Sequence, residues 1–195
     1  QFERVEDGWV MRRVEAPGRF DRSVGANLAF IPAALRDAPP GSVHERGFAA
    51  EQLAGLVARR LAESGGVALF IDYGYSGPAL GDTLQALQGG QFADPLRTLG
   101  HADISAHVDF AAVARAAAPH ARVSGPVAQG QFLETLGLGA RAEALKAIAS
   151  LDQRAAIEAA RVRLSAPAAM GRLFQALALS AFGWPAPAGF PTSSA

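Results

Sequence analysis

No cysteine occurs among the 195 residues, and lysine occurs once, at Lys146. The first absence removes disulfides, thiolate metal sites and thiol nucleophiles together, and it fits a reducing compartment. The second leaves basic charge to arginine, which reads, with the heavy use of alanine, as codon bias. Neither sign of charge is in excess: Lys and Arg total 18, Asp and Glu 18. No basic stripe therefore argues for a nucleic-acid partner. No apolar run reaches the roughly eighteen residues that a membrane span requires. The opening "QFERVEDGWVMRRV" has neither an initiator Met nor the charged-then-apolar layout of a signal peptide. A chain that opens in the middle of a strand pattern is expected to lack the amino-terminal part of a longer protein.

What is present is apolar material, half of the residues, enough for the core of one domain or of part of one. Residues 1–30 read as two or three short strands separated by "EDG" and "APG" turns. "RDAPPGS" at 36–42 is a loop. In the stretch that follows, Leu53, Leu56, Val57 and Leu61 recur at helical spacing until Gly65-Gly66 stops them. "VALFI" then has the length and unbroken apolarity of a strand buried on both faces, so helix, turn and strand read as half of a parallel α/β unit. Ligands in such sheets sit beyond the carboxyl ends of the strands, where Asp72-Tyr73-Gly74 lies. Residues 75–108 read as a long irregular segment with a short helix at 82–88. Asp109 is a good N-cap for a helix in which Phe110, Val113 and Ala117 face one way. "ARVSGPV" reads as a strand, three helices follow at 130–137, 139–150 and 152–164, Ser165 and Pro167 start a short helix, and "LFQALALS" reads as the last strand.

Few constellations carry chemistry on residue type alone. "HADISAHVDF" gathers His101, Asp103, His107 and Asp109, but their spacing matches no short metal motif, and no metal site is expected. The plainer reading has Asp109 capping a helix and His107 bonded within the loop. Ser76 in "GYSGP" is not a nucleophile elbow, and "GYSGPALG" lacks the Lys-Ser/Thr of a phosphate loop. Asp82 and Thr83 could cap the helix at 82–88. Tyr73 reads equally well as a buried ring with a paired hydroxyl or, with Asp72, as the lining of a ligand site.

Several stretches together resemble one family. In order they are "GVALFIDYGYSGPALGDTLQAL", "FADPLRTLGHADISAHVDFAAVARAA", "GPVAQGQFLETLGLGAR" and "APAAMGRLFQALALS". They look like the MidA-type methyltransferases, class I enzymes dependent on S-adenosylmethionine. Relatives include the mitochondrial methyltransferase that assists respiratory complex I assembly. The likeness implies an α/β fold, the carboxyl-terminal part of a Rossmann-like sheet with an inserted helical bundle. Residues 1–182 would be the carboxyl-terminal half of the methyltransferase domain, with helices inserted at about 130–165, and 183–195 a loose Pro-rich tail. "VALFIDYG" would be the family's fifth strand, and "ARVSGPV" and "LFQALALS" its sixth and seventh.

The resemblance also implies roles. Asp72 and Tyr73 would be catalytic, placed at a crevice rim, and Gly74, Asp82, Thr83, His107 and Asp109 would shape the substrate-side loop. S-adenosylmethionine would be the cofactor, held by a Gly-rich loop that this sequence lacks, so the chain alone is not expected to bind it. The acceptor would be a protein arginine, with a complex I subunit as possible partner and a homo-oligomer as possible assembly. The compartment would be the cytoplasm of a bacterium or the mitochondrial matrix of a eukaryote. The alternative is a non-catalytic assembly or binding module that keeps the scaffold.

Overall fold

The computed structural model describes residues 1–98 and 100–191. They fall into two compact units. The first comprises Gln1–Gly47 and Pro78–His107, the second Phe48–Gly77 and everything from Val108 onward.

In the first unit, β1 (Phe2–Val5), β2 (Gly8–Ala16), β3 (Arg19–Gly25) and β4 (Val43–His44) form an antiparallel sheet in the order β3-β2-β1-β4. Gly8 takes the turn between β1 and β2 with φ 148°. Phe2, Trp9 and Ile31 are buried beneath this sheet.

The second unit begins with α1 (Phe48–Ser64), which ends where Gly65 adopts φ 72° and donates its N–H to Leu61 O at 2.8 Å. The left-handed conformation there suits glycine alone among common residues. β5 (Val67–Tyr75) follows. The chain then returns to the first unit for β6 (Gln85–Gln88), β7 (Gln91–Ala93) and β8 (Asp103–Ser105), a three-stranded antiparallel sheet in the order β7-β6-β8. The helix expected at 82–88 is therefore a strand. Ala86 is fully buried and bonds into both neighbouring ladders, opposite Ala93 and Ile104, and the side chains meant to cap a helix are engaged elsewhere.

The second unit resumes with β9 (Val108–Asp109), α2 (Phe110–Ala117), β10 (Arg122–Ala128), α3 (Gln129–Thr135), α4 (Leu138–Ala147), α5 (Leu151–Ser165), α6 (Met170–Leu173) and β11 (Phe174–Ser180). Its sheet has the order β10-β11-β5-β9. β5 runs antiparallel to β11 along its length and parallel to β9 only at Gly74–Val108 and Tyr75–Asp109. The strand expected to be buried on both faces is instead half exposed: Val67, Leu69 and Ile71 are 42–50% accessible. β11 takes the central place, with residues 176–180 all buried. Its Leu177 and Leu179 meet α1 and α2 in a core rich in alanine, with Ala54, Ala58, Ala117 and Ala121 beside Leu61, Phe110 and Val113. On the other face Ala176 and Ala178 lie under Phe132 and Phe190.

Candidate functional site

The residues singled out by sequence fall into two groups, one in each unit. In the second unit, β5 carries Asp72, Tyr73 and Gly74 to its carboxyl end. Gly74 is required there by close approach: an added Cβ would lie 2.1 Å from Val108 O, so any side chain would push β9 away. The Tyr73 ring stands edge-on to Phe174, its cross-strand partner, at 5.6 Å between centroids. The Asp72 carboxylate is exposed and accepts from the N–H of Tyr73 at 2.8 Å. Asp109 caps α2 as its residue type requires, accepting from Ala112 N–H at 2.9 Å.

Beside this strand end runs a groove of about 320 Å³, walled by Ala50, Leu53, Leu69, Phe70, Val108 and Val113, among other apolar groups. Asp72 is its one charged lining side chain among the described residues. A carboxylate at the lip of an apolar wall suits a cation whose stem is apolar, as a guanidinium on its methylenes is. It does not resemble a glycine-lined cradle in which backbone approaches a nucleoside closely. The described residues of this unit therefore fit an acceptor better than a nucleoside cofactor, and no step through the cofactor is derived from them.

The first unit holds the other group. Glu45, the buried residue that follows β4 in the chain, gathers the loop around it. Its carboxylate accepts from the Thr83 hydroxyl, from Leu84 N–H at 3.1 Å and from the Gln1 amide at 2.7 Å. Thr83 Oγ1 in turn accepts from His107 N–H at 2.9 Å. Asp82 accepts from Arg12 at 2.8 Å and from Gln1 at 2.7 Å. Gly81 N–H bonds Val43 O at 2.8 Å, and buried His44 sets its Nδ1 3.2 Å from Ala79 O. Asp82 and Thr83 thus fasten the loop rather than begin a helix. Sequence reasoning missed Glu45. Nothing in the spacing pointed from Thr83 to an acceptor 38 residues earlier. His101 and Asp103 join neither group. Among the described residues no three His, Asp or Glu side chains converge as a metal site would require.

Comparison with known proteins identifies the family. Residues 1–127 match the profile of the family described as "Putative S-adenosyl-L-methionine-dependent methyltransferase", and the chain belongs to it. It is thereby classed with the methyltransferase-type proteins. A protein arginine methyltransferase NDUFAF7, mitochondrial, of Danio rerio is 33% identical over 90% of this chain and 42% of its own length. The Drosophila melanogaster homolog of that name is 38% identical over 69% of this chain and 31% of its own. A crystal structure of an uncharacterized protein from Burkholderia thailandensis superposes with a TM-score of 0.79 at 27% identity, over 97% of this chain and 53% of that one. A second from the same organism, proposed to be a methyl transferase and bound to S-adenosyl-homocysteine, gives 0.77 at 27% identity over 96% of this chain and 51% of that one.

These findings correct two expectations. The likeness is not confined to a carboxyl-terminal half: the profile match begins at residue 1, and the structural match takes in nearly all of the chain, both units included. The fold is likewise not just the carboxyl-terminal part of a sheet. The Rossmann-like α/β methyltransferase fold with helical insertions runs over almost the entire chain. Residues 1–30, read from the sequence as two or three short strands, supply β1, β2 and β3 of a sheet with its own core. The chain spans about half the length of the solved relatives and less than half that of these two curated ones.

Proposed function

We propose that the protein is an S-adenosylmethionine-dependent methyltransferase acting on a protein arginine, and that the end of β5 serves the acceptor side of that reaction. The observation that supports it most is the match, over 96% of the chain, to a structure holding S-adenosyl-homocysteine, the product such a transfer leaves. The arginine acceptor rests on the names of the curated relatives. A role in respiratory complex I assembly, with a complex I subunit as protein substrate, follows from the same family resemblance. Those relatives, named mitochondrial, support a matrix setting if the source is a eukaryote.

The cofactor supplies an electrophilic methyl group. What this chain's residues supply is placement. An arginine side chain lying along Leu69, Phe70 and Val108 would bring its guanidinium to the Asp72 carboxylate, which holds the fork by charge-assisted hydrogen bonds. Fixing an acceptor in this way removes much of the entropic barrier to transfer. A methylated guanidinium nitrogen must shed a proton, and Asp72 is the acid placed to orient that nitrogen or take the proton. Tyr73, braced by Phe174, adds a phenolic group next to it in sequence. Gly74 keeps the strand end joined to β9, and Asp109 secures the helix that follows.

The test is methyl incorporation by protein purified from the cells that make it, with labelled S-adenosylmethionine and a protein acceptor. Label recovered as methylarginine, and lost in Asp72→Asn, supports the reading. Label on another residue type overturns the acceptor assignment, and an unchanged rate in Asp72→Asn overturns the role of the β5 end.

A further inference from the structure

Among the described residues, helix α5 leaves one face uncovered. It packs on α3, α4 and α6, yet none of its 15 residues is buried. Ile157 and Leu164, seven apart, are the half-covered side. On the opposite side Leu151, Ala155, Ala159 and Val162 recur at four, four and three residues, the spacing of one helix face. All four are exposed, Leu151 at 81% and Val162 at 42%, and Ile148 just before the helix at 88%.

The charges around this stripe are divided. Glu158 and Arg161, on one flank, are engaged within the chain: Glu158 binds Lys146 at 3.0 Å and Arg161 at 2.6 Å, and Arg161 reaches Glu134 at 3.6 Å. On the other flank stand Asp152 and Arg163, eleven residues apart. Neither enters an ion pair or side-chain hydrogen bond among the described residues.

We propose that this face is the contact between two copies of the chain, packed α5 against α5, antiparallel, about a two-fold axis. Two-fold packing requires a self-complementary surface in which residue i meets j and j meets i. The stripe meets that requirement. Ala155 and Ala159 lie symmetrically about position 157, so each faces the other's counterpart, and their small side chains let the axes approach closely. In antiparallel helices the same flanks meet. Asp152 of one copy then faces Arg163 of the other, and the reverse, because the two are centred within half a residue of the same level. Leu151 and Val162 close the ends of the stripe. The inference is independent of the methyl-transfer reading.

One helix face is smaller than a standard interface, so the expected dissociation constant lies at roughly 1–100 µM. Sedimentation equilibrium on the protein tests this directly. Asp152→Arg or Arg163→Asp alone sets like charges opposite each other twice and should weaken association roughly tenfold. The double exchange, Asp152→Arg with Arg163→Asp, restores both pairs and should recover the wild-type constant. It does so although it places both charges wrongly for the helix dipole, so recovery cannot be an effect on helix stability. The cysteine-free chain gives a clean second arm: Ala155→Cys mixed with Ala159→Cys should form a disulfide dimer faster than either variant alone. A monomer at all accessible concentrations, or association that the charge exchanges leave unchanged, overturns the proposal. So does equal cross-linking of the two cysteine variants alone and mixed.

Discussion

Two polar clusters in this molecule use the same residue types to different ends. Around Glu45 the acceptor capacity is taken up by the protein's own donors: a buried carboxylate takes a hydroxyl, an amide and a backbone N–H, and the hydroxyl takes a further N–H. At the end of β5, Asp72 is exposed and, among the described residues, bonds only the backbone of its neighbour, beside an apolar groove. Acceptor capacity already spent on the protein's own donors fixes a loop. Capacity left over beside an apolar wall is what a ligand can use. The difference lies in what surrounds each acid, and the sequence motifs "GDT" and "IDYG" do not show it.

The largest expected effect breaks the first cluster. Glu45→Ala strands the Thr83 hydroxyl and Leu84 N–H in a buried setting, and stability measured by urea denaturation should fall by about 3 kcal/mol. Asp72→Asn addresses the second. Its stability should hold within about 0.5 kcal/mol, as for exposed positions generally, while the single-turnover rate falls about a hundredfold and partly recovers at higher pH, where the acceptor sheds its proton more readily. Parallel losses of stability and rate in Asp72→Asn would make it a loop anchor like Glu45 and dissolve the contrast. Tyr73→Phe is milder: a stability change of no more than about 1–1.5 kcal/mol, the net worth of one hydrogen bond, and a rate loss of about tenfold.

The smallest effect lies in the helical bundle. Hydrogen bonds from Arg161 and then Lys146 hold the Glu158 carboxyl at about 2, below its ordinary 4.5. A depressed carboxyl contributes stability that is complete above 4.5 and disappears as pH falls towards about 2. The group is exposed and screened by solvent, so acid titration of Glu158→Gln against the wild type should show only a slight divergence in that window.

Local signals were readable and long-range ones were not. Asp109 as a cap, Gly65 as a stop and the Phe110, Val113 and Ala117 face all follow from near-neighbour chemistry, and the structure has them. "VALFI" and "LFQALALS" show where reading fails. The more continuously apolar segment became the half-exposed strand, and the one containing Gln175 the buried one, because burial depends on sheet order and on which helices cover each face. Residues 82–88 failed for a related reason. Asp82 and Thr83 are good caps in isolation, but Arg12 and Glu45 claim them from far along the chain. The Asp72 end of β5 was legible as a location, and the groove beside it was not, since its walls come from α1, β5 and the β9–α2 segment.

The alanine-rich meeting of α1, α2 and β11 has a consequence for how this protein tolerates change. Alanine freezes no side-chain rotamers on folding, so Ala54, Ala58, Ala117 and Ala121 give cohesion through nearness instead of bulk. Such a seam has little to lose by truncation and no spare room for growth. Random variation should therefore be filtered one-sidedly there: drift to glycine or serine tolerated more often, drift to valine or anything larger removed, because each added methyl group must wedge apart two helices and the strand beneath them.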